Sequence, residues 1–531
     1  MPSRSILRRC TSTPTRRAVA VALLVGVPLA LAVPLLPVAG GDIVAQRFWA
    51  GWGASHSGSP VDFSWYGGTP SVSYSLVTPW VMALVGVAGA GVAGTVVGSV
   101  LTGVLLARSG TRRPAAGAAV AAVMFAADQL SGRITFGMGA AAGVGALCLL
   151  TLPARTRARR VARCTGVAAA AALAGALSPV ASALLLVPAG AWLLAGGRAG
   201  VRARLPESVC LAGGALAPLL AMTLLGAAQG LSGASSHQVL GMALALLVVL
   251  AAARDHPAVR VGVLLTLLAL VLVWVLPDPV GSNLTRIVLL FAPPLVVAIG
   301  PRRPVELALA AALVVWVLPP LVPADLNDDG PPVATARADG LLAALRERTP
   351  VGRVEVVPLN SHLESQAVAE EFPIARGWLR QVDMVRNPLF YDGSLDPASY
   401  RAWLLERGVG YVALPRARVD WPDHREAAIV RAGQPWLQQV WRDADWTLYA
   451  VQGGDLVQGP ATLVSSDREG LVLDVEHAGV VDLSLFWNRA LTVRGPDGCL
   501  RPGDGEGRVR LDAAEPGTYR VTSAWLPSGH C

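Results

Sequence analysis

Residues 18–39 read AVAVALLVGVPLALAVPLLPVA and run directly into GGDIVAQRFW at 40–49. An uncharged apolar stretch of this length crosses a hydrocarbon layer about 30 Å thick when it is wound as a helix. Arg16 and Arg17 precede it, as they would a signal peptide. The stretch is too long for a leader's apolar core, and no small-x-small cleavage site follows, so it reads as a retained helix. Working outward, similar runs lie near 79–107, 114–130, 134–152, 164–177, 179–196, 208–226, 237–253, 259–276, 285–300 and 304–322. With about eleven spans, residues 1–322 read as a multi-pass α-helical membrane domain.

Two of these runs need a decision. The run 79–107 is overlong and is expected to begin as a helix lying on the membrane. The stretch 164–196 is long for one helix, short for two, and interrupted by Ser178-Pro179. Arg155, Arg157, Arg159, Arg160 and Arg163 flank it on one side, and Arg198, Arg202 and Arg204 on the other. Arginine clusters mark the cytoplasmic side, so the stretch must cross twice or re-enter.

The composition agrees. Of 531 residues, 53% are hydrophobic and 15% charged, against about 25% charged in ordinary soluble domains. The mean hydropathy is +0.51. All 44 basic residues are arginine. Residues 1–322 hold 23 Arg against 7 acids, and residues 323–531 hold 21 Arg against 29 acids. The basic residues of the first part sit between apolar runs, which is a topology signal and not a nucleic-acid footprint. With the N-terminus inside, the inner segments carry 20 arginines and the outer loops only Arg47, Arg133 and Arg286. An odd number of crossings then puts everything after residue 322 outside the cytoplasm of a plasma-membrane protein.

That outer part shows helix-then-strand patterns at 336–359 and 397–415. A helix around 424–433 follows, then QQVWRDADWTLYAV, two strands about an Asp-Ala-Asp turn. This predicts an extracytoplasmic α/β domain over 323–455. From 456 to 531 the short alternating stretches LVLDVEHAG, VVDLSLFW, ALTVRG, GRVRLDAAE and GTYRVTSAWL predict a C-terminal β-sandwich. Of the six cysteines only Cys499 and Cys531 lie in this oxidising compartment, so they are expected to form a disulfide.

Ionisable groups at the outer membrane face are functional candidates, because charge is costly near a bilayer. They are Asp42, Arg47, His56, Asp62, Asp128, Arg133, His237, Asp278 and Arg286. Asp42 follows the first span directly. Ile43, Val44, Phe48, Trp49 and Trp52 behind it suit the apolar side of an interfacial helix with aromatic anchors at headgroup depth. This would hold a carboxylate where a lipid-linked substrate presents its head group; otherwise Asp42 caps the helix. Arg286, in PDPVGSNLTRIVLL, has the fork geometry that grips a phosphate, with Asn283 one turn before it as a second ligand or as a helix cap. Arg133 either pairs with Asp128 across the turn ADQLSGRIT or makes another phosphate contact. His56, Asp62 and Asp128 remain acceptor or loop contacts. ADLNDDG at 324–330 matches the first half of a calcium loop, but Ala336 stands where the bidentate acid belongs.

GDIVAQ with WYGGTPSVSYS, SGRITFGMG, LSPVA, GSNLTR, ARGWLRQVDMVRNPLFYDG, YRAWLLERGVGYVALP and WRDADWTLYAV resemble polytopic membrane proteins of high-GC Gram-positive bacteria. Those proteins are similar to GT-C glycosyltransferases, which use polyprenyl-phosphate sugars. The resemblance implies an outer-face transfer of sugar to an envelope glycan or lipid acceptor. In that family an acidic residue of the first outer loop serves as base or metal ligand, and Asp42 is its match here. Many members have paired acids in that loop; here Asp62 is 20 residues on, so the resemblance leaves a divalent metal open. A multi-pass transporter and a non-catalytic glycan-binding scaffold are the alternatives. ARSGTRRPAAG at 107–117 faintly resembles the cytoplasmic loop of major-facilitator proteins, without its acidic residue.

Overall fold

The computed structural model describes residues 13–36, 42–56, 58–227, 230–231, 233–276, 278–300, 308, 312, 338–505 and 507–531. Its contacts divide the chain into two compact units. One holds residues 1–43, 74–224 and 231–327; the other holds 44–73, 225–230 and 328–531.

Among the described residues of the first unit six helices are long and apolar enough to cross a membrane: Thr13–Leu35, Val87–Arg108, Arg157–Leu177, Gly200–Leu224, Pro257–Val275 and Gly281–Ile299. Shorter apolar helices cover Pro114–Leu130, Ile134–Leu150, Pro179–Leu194 and Ser236–Ala252. The chain is a polytopic membrane protein. Of the expected run at 304–322 only residues 308 and 312 are described, and the loop 324–330 lies outside the described residues.

Local chemistry explains the breaks. The run expected at 79–107 divides into Thr78–Val85 and Val87–Arg108 about Gly86. At 178 the backbone turns extended, the Ser178 hydroxyl accepts from the Ala181 amide, and Pro179 opens a new helix. The stretch 164–196 is therefore more than one helix. Ser235 and Gln238 form a reciprocal cap at the start of Ser236–Ala252.

Small residues set how closely these helices approach. Val87–Arg108 packs on Thr13–Ala32, Pro114–Leu130 and Ile134–Leu150. A Cβ on Gly98 would stand 2.3 Å from the Phe125 ring, so only glycine admits that contact. Leu24, Leu220 and Leu268 on the outside of the bundle are well exposed, as residues facing lipid should be.

Among its described residues the second unit contains three four-stranded sheets. In one the order is Val354–Val356, Tyr411–Pro415, Trp446–Val451, Leu437–Arg442; its first pair is parallel and the others antiparallel. The helices Asp339–Arg346, Pro397–Glu406 and His424–Arg431 accompany it. Asp443 Oδ1 accepts from the amides of Asp445 and Trp446 and makes the turn between its last two strands. The Arg376 guanidinium, buried near this sheet, holds Glu355 at 2.6 Å, Asp423 at 2.7 Å and Glu426 at 2.5 Å.

The other two sheets are antiparallel. One runs Gly498–Pro502, Val509–Ala513, Gly479–Leu483, Val457–Gln458; the other Leu491–Arg494, Gly517–Ser523, Gly470–Val475, Ala461–Asp467. Alternate residues such as Val509, Leu511 and Ala513 point inward, and Leu473, Leu483, Leu511 and Tyr519 share one core. A disulfide joins Cys499 to Cys531.

The first loop corrects one expectation. Phe48, Trp49 and Trp52 are fully buried in the second unit and do not serve as headgroup anchors. Phe48 stacks on Trp65 at 3.9 Å, Trp49 meets Trp65 edge-on at 5.9 Å, and the Trp65 indole donates to the Ser365 carbonyl at 2.8 Å. Val61 and Phe63 join the sandwich core. An aromatic stripe at helical spacing serves a protein core as readily as a membrane interface, and here a core takes it.

Candidate functional site

Asp42 is the first residue of the helix Asp42–Ser55 and belongs to the membrane unit. Two arginines from distant parts of the same unit meet it. Arg133 Nε lies 3.7 Å from Asp42 Oδ2, and Arg286 Nη2 lies 3.4 Å from the same oxygen. Each is placed by the start of a helix. Arg133 immediately precedes Ile134–Leu150, and its amide donates back to the Asp128 carbonyl at 3.1 Å to close the tight turn. Arg286 lies in the first turn of Thr285–Ile299, just after the 3₁₀ turn Gly281–Leu284.

The surroundings fix the guanidiniums further. Arg286 lies over the Phe136 ring, with its central carbon 5.3 Å from the centroid. Asp128 and Tyr74 lie within electrostatic reach of it. The Tyr74 hydroxyl is 3.5 Å from that of Thr135. Phe136 and Tyr74 were not singled out in the sequence. Tyr74 sits in the quoted WYGGTPSVSYS stretch, whereas nothing local distinguishes Phe136 from a packing residue.

The other candidates are distributed differently. The Arg133 side chain meets the Asp42 carboxylate, and Asp128 is buried within electrostatic reach of Arg286. Asn283 is in the 3₁₀ turn, and the helix after it starts from Leu284 without a side-chain cap. Asp278 closes its own loop by accepting from Val280 at 2.6 Å and Gly281 at 3.0 Å.

Asp62 and His56 belong to the second unit. Asp62 is wholly buried and grips Arg468 through two bonds of 3.0 and 2.7 Å, while its other oxygen accepts from the Ser64 amide at 2.7 Å. That geometry makes it a structural clamp. His56 Nε2 stands 4.0 Å from Glu469.

The membrane unit also contains a cavity of about 350 Å³ that reaches Phe136 and Ile287 and extends to Ser109, Thr151 and His256. Phe136, Ala140, Leu184, Val263, Ile287 and Phe291 are among its walls, which are almost entirely apolar. Phe136 thus touches both the cavity and the Arg286 guanidinium, and Ile287 follows Arg286 in the chain. A cationic pair adjoining an apolar chamber suits an amphiphile with an anionic head.

The same charges do not suit a divalent cation. Two guanidiniums within 3.7 Å of the Asp42 carboxylate compete for the lone pairs a metal would need. Among the described residues the grouping with three candidate ligands is Cys499, Asp512 and Cys531, and both of its sulfurs are spent in the disulfide.

No protein-family model matches the chain, and no curated protein matches it. Among solved structures it is similar to the arabinofuranosyltransferase AftD from Mycobacteria, determined by cryo-electron microscopy, with a TM-score of 0.47 and 15% identity. The likeness covers 96% of this chain and 60% of that one, so the chain spans less than two thirds of the length of the protein it matches.

Proposed function

We propose that this membrane protein transfers a sugar from a polyprenyl-phosphate donor to a cell-envelope glycan or lipid on the outer face. The observation that carries the reading is the convergence of Arg133 and Arg286 on Asp42, next to an apolar cavity. Acid, cations and chamber are the three parts such a transfer needs.

The donor phosphate binds the two guanidiniums, with Asn283 as a further contact, and the first isoprene units enter the cavity past Phe136. A phosphate on the arginines takes the place of the Asp42 carboxylate. The freed carboxylate then accepts the proton of the acceptor hydroxyl as that oxygen attacks the anomeric carbon. The bond from the anomeric carbon to the phosphate oxygen breaks, and polyprenyl phosphate departs with the electron pair. The arginines stabilise the charge that develops on it. No step is routed through a metal.

The test is direct. The purified chain, reconstituted in lipid, is offered a panel of radiolabelled polyprenyl-phosphate sugars together with envelope glycan and lipid acceptors. Transfer by the parent and its loss in Asp42→Asn are expected. Equal transfer by both proteins overturns the assignment of Asp42. Absence of transfer with every donor, with solute moving across sealed vesicles, replaces the reading with a transporter.

A further inference from the structure

A second depression lies in the membrane unit, between the helices Arg157–Leu177 and Gly197–Leu224. It has a volume of about 1030 Å³, and its walls include Arg157, Arg160, Val161, Cys164, Ala168 and Gly213. Residues 157, 161, 164, 168 and 172 recur at intervals of three and four, so they form one face of the first helix. Charge marks only one end of this groove; from Val161 onward the wall is valine, alanine, glycine, cysteine, threonine and one proline, Pro206.

Three observations define its occupant. First, the charge is one-sided: residues 151–210 contain eight arginines and one acid, Glu207. Glu207 is buried and already engaged by Arg163, with Arg160 at 3.6 Å. Arg157 has no acidic or hydrogen-bond partner among the described residues, and it is exposed at the mouth. Second, the flanks are lipid-facing: Val161, Leu173, Val209 and Leu216 on the two helices are about half exposed. Third, the groove has both a floor and room. A Cβ on Gly214 would stand 2.4 Å from the Ala168 carbonyl oxygen, so the helices touch there. A Cβ on Gly213 would meet nothing within 4 Å.

We propose that this groove is a binding site for a phospholipid with an anionic head group. Its phosphate sits on Arg157 and Arg160, and one acyl chain lies over Gly213 along the Ala168 wall. Basic pockets between membrane helices select anionic lipids by adding charge attraction to ordinary chain burial. The inference stands apart from the sugar-transfer reading, because no residue is shared with the Asp42 site.

The experiment uses the full chain, delipidated in a zwitterionic detergent, with phosphatidylglycerol and phosphatidylcholine as probes and native mass spectrometry to count retained lipid. Preferential retention of phosphatidylglycerol is expected. Arg157→Gln should weaken it about fivefold, with no change in phosphatidylcholine retention. Gly213→Leu puts a side chain into the groove from a position where a Cβ meets nothing within 4 Å, and it should abolish retention of phosphatidylglycerol at an unchanged melting temperature. Equal retention of the two lipids by the parent overturns the proposal, and so does undiminished phosphatidylglycerol binding in Gly213→Leu. Should that variant fail to fold, the parent decides alone. Cys164 in the groove should react with a permeant maleimide more slowly in phosphatidylglycerol bilayers than in phosphatidylcholine, and equal rates refute the site.

Discussion

Arg286 Nη2 and Asp42 Oδ2 stand 3.4 Å apart although 244 residues separate them in the chain. Arg133 reaches the same oxygen from another loop. One carboxylate is shared by two guanidiniums, and the Phe136 ring under Arg286 also lines an apolar cavity. If donor phosphate and Asp42 compete for these arginines, the two kinetic constants should part in Asp42→Asn. Its kcat should fall by about 10²–10⁴, the usual contribution of a positioned base. Its donor affinity should hold or improve, because a competitor has been removed. Steady-state transfer and direct donor binding measure the two separately, and a parallel loss of both contradicts the competition.

The arginines differ in what they lose when replaced. Arg286 lies over Phe136 and has its Nη2 on Asp42, so Arg286→Lys sacrifices both the planar stacking and the fork. A fall in kcat/KM of about 10²-fold is expected, comparable with removing one preorganised donor from a developing charge. Arg133 approaches with Nε at 3.7 Å, and Arg133→Lys should cost less. Transfer assays on the two single variants test the order, and an Arg133 variant worse than the Arg286 variant reverses it.

Much of the membrane part was legible because a span is a local property: its length, apolarity and flanking arginines can be read without any contact. Arg133 and Arg286 stood out for the same reason, as exceptions to an otherwise one-sided arginine distribution. Long-range pairing was not legible. Asp62 looked like a loop carboxylate, and nothing in its neighbourhood announces Arg468, 406 residues away. Phe48, Trp49 and Trp52 failed differently: an amphipathic aromatic helix has the same pattern whether headgroups or Trp65 cover it. The physics of burial is equal in both cases, so only the fold decides between them.

The Asp62–Arg468 pair should therefore register in stability and not in chemistry. Arg468 is 8% exposed and also lies over the Phe48 ring at 4.4 Å. Asp62→Ala leaves that cation buried without its carboxylate, which typically costs about 3–5 kcal/mol. Denaturant unfolding followed by tryptophan fluorescence should show the loss, with per-molecule transfer at low temperature unchanged. A variant as stable as the parent removes the structural role.

Orientation has its own check. Ala398 is exposed in the first turn of Pro397–Glu406 in the second unit. In a background lacking Cys10, Cys148, Cys164 and Cys210, Ala398→Cys should label with an impermeant reagent in intact cells, as the arginine distribution predicts. Labelling only after lysis inverts the topology and moves the proposed transfer to the other face.

The second unit should also carry a pH optimum for stability on the acidic side of neutral. Burial alone would lower the His362 pKa, but hydrogen bonds to Asp420 and Glu364 outweigh it and hold the imidazole above its ordinary 6.5. Burial would raise Asp420, and the same contact with His362, aided by Arg380, brings it down to about 2 from 3.8. Burial raises Glu426 from 4.5 to about 7 against the pull of Arg376. Asp420 stabilises the fold above about pH 4, and that contribution disappears as pH falls through about 2. His362 stabilises it fully below 6.5, and that contribution disappears as pH rises through its elevated value. From 4.5 to about 7 the folded chain keeps the Glu426 proton that the unfolded chain has released, so stability declines with rising pH across this window. The three effects agree on a maximum near pH 4–5 and a fall toward pH 8. Thermal melts of the full chain in detergent, read by tryptophan fluorescence across pH 3–9, should show it. In His362→Gln, the part of the decline above 6.5 should shrink while the part from 4.5 to 7 remains. A melting temperature that rises from pH 5 to pH 8 in the parent would contradict the assignment of both buried groups.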